Sequence, residues 1–179
     1  EQAVVGMKRR RLATLLGHDI SLLAYHLPLD AHPTLGNNAR LGELLGLQDH
    51  RPLQSGGEGV GNIAELPTAL PVSELLAALR RITGREPLHI AADVAGVRHI
   101  AWCTGAAQGY IEAAVAAGAD VFITGEASEQ TVHIAREEGI HFIAAGHHAT
   151  ERYGVQAVAE QVAQEFSLQH RFIDIDNPV

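Results

Sequence analysis

Two segments far apart in the chain carry the side chains best suited to chemistry. Each follows an apolar run and ends in potential metal ligands, the first at His26–Asp30 and the second at Gly146–Arg152. Asp30, His147 and Glu151 together offer two carboxylates and an imidazole, a donor set that suits zinc, iron or manganese. Because His147 and Glu151 are four residues apart, a helix through this segment would project both from one face. The pattern indicates a divalent-metal site.

Two interpretations of these residues remain open from the sequence alone. In the first, they bind one or two divalent metals. A cation near a helix N-terminus meets the positive end of the helix dipole and needs more than one carboxylate, and Asp30 would supply the second. Two metals about 3.5–4 Å apart would hold a bridging water and lower its pKa for hydrolysis. Alternatively, His147 and His148 cap the helix and Glu151 pairs with Arg152 or Arg136, since His-x-x-x-Glu is short and common.

Other titratable residues flank the same segments. His26 is a candidate to orient the Asp30 carboxylate or to shuttle a proton. Glu126, after a predicted strand, is either a catalytic acid or base, or the cap of the next helix. His32 is predicted to be a turn residue, and His133 to face inward. The remaining histidines are predicted to be surface or strand positions without a partner: His18, His50, His89, His99, His141 and His170.

From Val97 onward, strand and helix patterns alternate without interruption. Predicted strands cover His99–Thr104, Asp120–Thr124, His141–Ala145 and Arg171–Ile175, and predicted helices cover Gln108–Ala117, Ser128–Glu138 and Ala149–Phe166. Such alternation predicts an α/β fold with a mainly parallel sheet covered by helices. Ligands in these sheets gather beyond the carboxyl ends of the strands, where Thr104, Glu126 and His147 are expected.

The first hundred residues are less regular. Helices are predicted at Met7–Leu16, Asn37–Leu45 and Val72–Ile82, the last capped by Ser73, and strands at Ile20–Tyr25 and Asn62–Leu66. If Ile20–Tyr25 joins a comparable layer, Asp30 also lies at the sheet edge. The glycine-rich segment Gly56–Asn62 favours a hairpin or surface turn over a phosphate loop, because the pattern that follows is a strand and not a helix N-terminus.

Composition limits the classes of function. With 179 residues and 46% hydrophobic content, the chain can bury one substantial core or two small lobes. A net charge of −8 and 4% aromatic content disfavour nucleic-acid binding, and Lys8–Arg11 is interpreted as a solvated helix start. The sequence has neither a membrane-span pattern nor a signal-peptide pattern, so a cytoplasmic location is expected. Cys103 is predicted to be a buried thiol, with a nucleophilic role disfavoured.

Seven motifs, in order along the chain, resemble one known family. They are Gly6-Met7-Lys8-Arg9, His26-Leu27-Pro28-Leu29-Asp30-Ala31-His32-Pro33, Leu35-Gly36-Asn37-Asn38-Ala39, Ala101-Trp102-Cys103-Thr104-Gly105, Phe122-Ile123-Thr124-Gly125-Glu126, Ser128-Glu129-Gln130-Thr131 and Ala145-Gly146-His147-His148-Ala149-Thr150-Glu151-Arg152. The match continues to Phe172–Pro178. The chain resembles the YbgI branch of the Nif-three-like family, also called GTP cyclohydrolase I type 2 homologues.

The resemblance implies a two-lobed α/β protein in a toroidal homo-hexamer, with two divalent metals per full-length chain facing the interior. Residues 1–26 and 167–179 would then be the remnant of the first lobe, and residues 27–166 the second lobe. The metal ligands implied here are Asp30, His147 and Glu151. The family's N-terminal His-His-Gly segment is absent from this sequence, which starts on a helix. We therefore expect a fragment or processed chain that holds metal weakly or not at all.

The resemblance supports two hypotheses about function. In the first, a metal-activated water attacks a nucleotide-like substrate, as in a GTP cyclohydrolase, with His26 and Glu126 as catalytic residues. In the second, a ring-shaped protein binds metal or a small-molecule ligand without catalysis. Direct binding of single-stranded nucleic acid inside the ring is disfavoured by the acidic charge.

Overall fold

A computed structural model describes residues 3–54 and 59–179. The helices in these ranges are Gly6–Gly17 (α1), Leu27–Asp30 (α2), Asn37–Leu44 (α3), Val72–Thr83 (α4), Ile111–Ala116 (α5), Glu129–Glu138 (α6), His147–Glu151 (α7) and Tyr153–Phe166 (α8). The strands are Arg51–Pro52 (β1), Asn62–Leu70 (β2), Leu88–Ile90 (β3), Val97–Trp102 (β4), Val121–Thr124 (β5) and His141–Ala144 (β6). A 3₁₀ turn, Gln108–Tyr110, leads into α5.

The described strands form a six-stranded sheet in the order β1-β2-β4-β5-β6-β3. β4, β5 and β6 are parallel, whereas β1, β2 and β3 pair with their neighbours in the antiparallel sense. Register pairs Trp102 with Ile123, and Thr124 with Ala144, so the carboxyl ends of the parallel strands lie side by side. The predicted α/β class and the mainly parallel C-terminal part are confirmed.

The central strands are buried on both faces. Ile100 and Trp102 of β4 belong to a core cluster with Leu79 of α4 on one side of the sheet. Phe122 of β5 belongs to a second cluster with Ile111 of α5 on the other side. Burial on both faces explains why these strands are almost continuously apolar in sequence. The result is a three-layer scaffold that holds the strand ends in place.

Two helix boundaries differ from the predictions. The predicted helix Ala149–Phe166 starts earlier, at His147, and is divided at Arg152 into α7 and α8. Ser73 does not cap α4, because Pro71 occupies the N-cap position in an extended conformation and the helix begins one residue later. Ser73 therefore lies inside the first turn of α4.

The two strands predicted near the termini are wrong. Ile20–Tyr25 and Arg171–Ile175 contain no strand in the structure, and Leu23 and Ile175 are 78% and 73% exposed. Their composition favours a strand, but a strand also needs a hydrogen-bonded neighbour, and no described strand pairs with either segment. Asp30 accordingly follows an irregular segment and not a sheet strand. The division of the chain into two lobes stays a prediction.

The glycine-rich segment is described only in part, because Gly56 and Gly57 lie outside the described residues. β1 and β2 pair in the antiparallel sense on either side of it, with Pro52 opposite Asn62. β2 begins at Asn62, so a strand and not a helix follows the glycines, as predicted. This arrangement supports the hairpin interpretation over a phosphate loop.

The expectations for several histidines also change. His133 is exposed on α6 and does not face inward. His141 is 2% exposed, and its Nδ1 accepts a hydrogen bond from the Ala92 backbone N–H at 3.1 Å. That requires the tautomer whose Nε2–H donates to Val94 O at 3.2 Å, and His89 Nε2 lies 3.1 Å from the same Nδ1. The prediction that His89 and His141 lack partners is wrong, because strand pairing brings together residues 52 apart.

We expect acid to weaken the fold through this pair. Burial, and then the neighbouring His141, lower the pKa of His89 below its ordinary 6.5. Below pH 6.5 the unfolded chain therefore takes up a proton that the folded chain resists, and stability falls until the pH drops below the folded-state pKa. Urea denaturation across pH 7.5 to 5, compared in the wild type and in His89→Gln, measures this contribution. The loss should be smaller in His89→Gln than in the control His133→Gln, and equal losses would contradict the assignment.

Candidate functional site

Glycines bring the strand-end loops into close contact at the carboxyl edge of the parallel strands. The Gly125 N–H donates to Gly105 O, and the Gly146 N–H donates to Gly125 O, both at 2.9 Å. A Cβ on Gly125 would lie 2.6 Å from Gly105 O and 2.7 Å from the Cα of His147, so no larger residue fits. Gly146 has φ 101°, which also favours glycine. Glu126 and His147 consequently start from neighbouring backbone positions.

His147 lies between two carboxylates. Its Nδ1 is 2.5 Å from Glu126 Oε1, and its Nε2 is 3.0 Å from Glu151 Oε2. α7 projects His147 and Glu151 from one face, as their spacing predicted. Glu126 does not cap α6, because Ser128 Oγ accepts a hydrogen bond from the Thr131 N–H at 3.3 Å and fills that role. The open interpretations of Glu126 and Glu151 thus resolve in favour of contacts with His147.

Asp30 is held in place by two adjacent asparagines. It lies at the end of α2, is 6% exposed, and accepts a hydrogen bond at Oδ1 from Asn37 Nδ2 at 2.7 Å. Asn38 Nδ2 donates to the Asp30 backbone O at 3.2 Å. In turn, Asn37 Oδ1 accepts from Gly154 N at 2.8 Å, and Asn38 Oδ1 accepts from Thr104 N at 3.0 Å. These amides tie Asp30 to the sheet edge and to α8.

The asparagines are functional residues that the residue-by-residue sequence reasoning missed. Both occur in a motif quoted for the family resemblance, but no role was assigned to either. The available signal was a pair of amide side chains at the start of a predicted helix, closely following a candidate ligand. Both asparagines are buried, at 5% and 2% exposure, and a buried amide needs partners such as those found here.

The charges at this site influence one another. Burial raises the pKa of Glu151, the negative charge of Asp30 raises it further, and His147 partly opposes both effects. Burial disfavours the charged form of His147, but the hydrogen bond to Glu126 and the charge of Glu151 outweigh burial and raise its pKa. The site thus holds more negative than positive charge, with three carboxylates around one imidazole in a partly buried setting. A bound cation would relieve that excess.

His26 and His32 have different surroundings. His26 is exposed at the N-cap position of α2, near enough that its charge helps to lower the pKa of Glu151. His32 Nδ1 accepts hydrogen bonds from the backbone N–H groups of Thr34 and Leu35, at 3.3 and 3.1 Å. The turn role predicted for His32 is confirmed, whereas the His26 side chain is exposed and makes no hydrogen bond within residues 3–54 and 59–179.

Cys103 lies beside the site as a buried thiol whose surroundings disfavour the thiolate. Its side chain is buried, and Sγ donates to Val60 O at 3.3 Å. Burial, and then the charges of Asp30 and Glu151, raise the pKa of the thiol to about 12. The thiol therefore stays protonated, in agreement with the predicted buried cysteine.

The side chains present fit a divalent metal in type. Two carboxylates and an imidazole suit such an ion, and Glu126 contacts the second ring nitrogen as an outer carboxylate often does in metal sites. Thr104 Oγ1, on the residue tethered by Asn38, is buried without a hydrogen-bond partner in the described chain. Across residues 3–54 and 59–179, however, no three His, Cys, Asp or Glu side chains converge as a ready metal cage. Instead, His147 contacts Glu151 directly.

The α/β scaffold is that of a known class. The family model for Duf34/NIF3 (NGG1p interacting factor 3) matches residues 1–178, and the chain belongs to this family.

Individual relatives agree with that assignment. The chain is 54% identical over 176 residues to a "GTP cyclohydrolase 1 type 2 homolog" of Pseudomonas aeruginosa, covering 98% of this chain and 69% of the relative. It is 53% identical to a relative of the same description from Yersinia pestis, covering 98% of this chain and 70% of that one.

Solved structures share the fold. The structure of protein ybgI, described as of unknown function, superposes with a TM-score of 0.92 at 47% identity, covering all of this chain and 71% of that one. The crystal structure of TTHA1606 from Thermus thermophilus gives a TM-score of 0.89 at 33% identity over the same shares. No helix in the described ranges has the length and apolar character needed to span a membrane.

Proposed function

We propose that the protein is a metal-dependent hydrolase of nucleotide-like substrates, with Asp30, His147 and Glu151 as metal ligands. The observation that carries the proposal is the position of His147 between Glu126 and Glu151, with the buried Asp30 close enough for its charge to raise the pKa of Glu151. The printed name of the relatives, GTP cyclohydrolase 1 type 2 homolog, supports a nucleotide as the substrate class. The family resemblance supports two divalent ions per full-length chain and a homo-hexamer.

Each residue has a distinct part in this proposal. A divalent ion at this position supplies Lewis-acid chemistry, polarising substrate oxygens and making water more acidic. Glu126 holds the His147 ring by accepting a hydrogen bond from Nδ1–H, and Nε2, which contacts Glu151 Oε2 at 3.0 Å, would be the ligand nitrogen. Asn37 keeps the Asp30 carboxylate oriented. His26, exposed beside the site, moves a proton between the substrate and solvent.

The decisive experiment is an assay of nucleotide hydrolysis. Chelator-treated full-length protein, which carries the N-terminal His-His-Gly segment implied by the family resemblance, is incubated with GTP, with and without added Mn²⁺ or Zn²⁺, and products are separated by chromatography. We expect turnover only with metal, and a fall of about 10²-fold or more in Asp30→Asn, because that variant removes a charged ligand of the ion that would stabilise the reacting groups. His133→Ala, exposed on α6, is the control and should retain wild-type turnover.

The alternative is a protein that binds metal or a ligand without catalysis. Metal-dependent binding of GTP with no product from any nucleoside triphosphate would contradict the hydrolase and favour this alternative. Turnover that persists in Asp30→Asn would contradict the assigned site and leave the reaction to other residues.

A further inference from the structure

Arg85 lies beside the proposed site, and the residues that the structure describes give its guanidinium no ion-pair partner. It lies in the connection between α4 and β3, just after Gly84, whose φ of 74° ends the helix. The Arg85 side chain is partly buried, and its Nη1 is fully buried yet makes no hydrogen bond to any residue that the structure describes. Buried polar atoms are nearly always satisfied, so an unpaired guanidinium nitrogen points to a missing acceptor.

Its position connects Arg85 to the chemistry. A Cβ on Gly146 would lie 2.7 Å from Arg85 Nη1 and 2.9 Å from its Cδ, so the guanidinium rests against the residue preceding His147. Arg85 and Glu126 line the same cavity, of about 570 Å³, together with Gly125 and Gly146. That volume is within the range of small-molecule sites, roughly 300–1,000 Å³. A molecule in this cavity would contact the guanidinium and Glu126, the carboxylate that binds His147.

No side-chain carboxylate around Arg85 forms an ion pair with it in the described ranges. Glu86, also in the cavity, forms an ion pair with Arg80, and Glu126 is bound to His147. Asp174, on the far side of Arg85, contacts Arg152 at 3.0 Å and His148 at 2.8 Å. Asp176 lines that far cavity as well, and it forms no ion pair with Arg85 in the described ranges. No hydrogen bond or ion pair within the described ranges engages the guanidinium, so its exposed part is available to an external anion.

We propose that Arg85 binds a phosphate group of the substrate in the cavity it shares with Glu126. A guanidinium offers a planar fork of N–H donors that matches phosphate oxygens. Arg85 is also the only basic residue among the described ones that line this cavity, so it offsets the acidic Glu86 and Glu126 there. The inference rests on the proposed function, since it adds the phosphate-bearing class of substrate to that site.

Calorimetric titration of chelator-treated protein with GMP, guanosine and inorganic phosphate tests the proposal without catalysis. Removing metal first ensures that phosphate is not held by an ion. We expect GMP to bind about tenfold more tightly than guanosine, the scale of a charge-assisted hydrogen-bond pair. Arg85→Gln should bind GMP and guanosine alike, and Arg85→Lys should retain part of the preference because it keeps the charge but loses the fork.

The matched control is Arg81→Gln, an exposed arginine on α4 that lines none of these cavities and should leave the preference intact. Thermal unfolding of each variant checks that folding is preserved. Two results overturn the proposal, namely a wild type that does not prefer GMP to guanosine and an Arg85→Gln variant that keeps the preference. If GMP is preferred in an Arg85-dependent way but no nucleotide is hydrolysed, the phosphate-binding role of Arg85 is supported and the proposed hydrolase function is contradicted. If nucleotides are hydrolysed but GMP is not preferred, the hydrolase function is supported and the role of Arg85 is contradicted.

Discussion

Replacing His147 with alanine should abolish the binding of divalent metal at this site. The imidazole separates Glu126 from Glu151, with Nδ1 2.5 Å from one and Nε2 3.0 Å from the other. Its loss removes a ligand and leaves Asp30, Glu126 and Glu151 without an organising group. Titration of chelator-treated protein with Mn²⁺ or Zn²⁺, followed by calorimetry, measures the affinity directly. Binding in His147→Ala should be undetectable under conditions where the wild type shows it.

The metal affinity of a second variant, Glu126→Gln, distinguishes a ligand from a residue that only positions the ligand. Glu126→Gln keeps the shape of the side chain but removes the negative charge beside His147, and should weaken metal binding by about 10–100-fold, the scale for an outer partner of a metal-binding histidine. His147→Ala removes the ligand nitrogen Nε2 itself, so it should weaken metal binding more than Glu126→Gln does.

The neighbouring histidine provides a matched control. His148 carries the same side chain one residue along the chain, yet it contacts Asp174 at 2.8 Å. His148→Ala should bind metal as the wild type does. Equal affinities in His147→Ala and His148→Ala would contradict the assignment of His147.

The second large effect is on stability, at Trp102. This side chain is fully buried at the end of β4, and its Nε1–H donates to Asn38 O at 2.8 Å. The backbone of α3 lies against the indole, since a Cβ on Gly42 would be 2.6 Å from Trp102 Cζ2. Trp102→Ala should lower the free energy of unfolding by about 3–5 kcal/mol, through lost apolar burial and the cavity left behind.

A conservative variant divides this effect into packing and hydrogen bonding. Trp102→Phe keeps most of the apolar contact and loses the indole N–H, so the lost hydrogen bond to Asn38 O, a helical carbonyl of α3, should cost about 0.5–1.5 kcal/mol. Urea denaturation gives both values, with Leu88→Ala, which is 50% exposed, as the control. A Trp102→Ala variant as stable as Leu88→Ala would contradict the assigned core. Because Asn38 also holds Asp30, metal affinity should fall together with stability.

The parts of the fold that follow from local patterns were predicted well. The alternation of strands and helices after Val97 is visible because buried parallel strands are short apolar runs and the helices between them are amphipathic. Ser128 at the start of α6 and the shared face of His147 and Glu151 are also local, since both depend on helical spacing. These features need no information about distant residues.

The failures have a common physical cause. The segments Ile20–Tyr25 and Arg171–Ile175 have strand composition, but a strand exists only where another strand supplies hydrogen bonds. His141 was assigned no partner because its contacts, Ala92 and His89, are brought to it by the pairing of β3 with β6. Long-range pairing is not visible in local periodicity.

The sequence by itself determined the α/β class, the carboxyl edge of the sheet as the place where ligands are expected, and the candidate residues Asp30, His147 and Glu151. It did so because residue type and spacing set local conformation and donor chemistry. Only the tertiary structure decided that Glu126 contacts His147 instead of capping a helix, that Asn37 and Asn38 anchor Asp30, and that Arg85 lies unpaired beside them. Those contacts join residues 7 to more than 60 positions apart, and packing of the sheet against its helices brings them together.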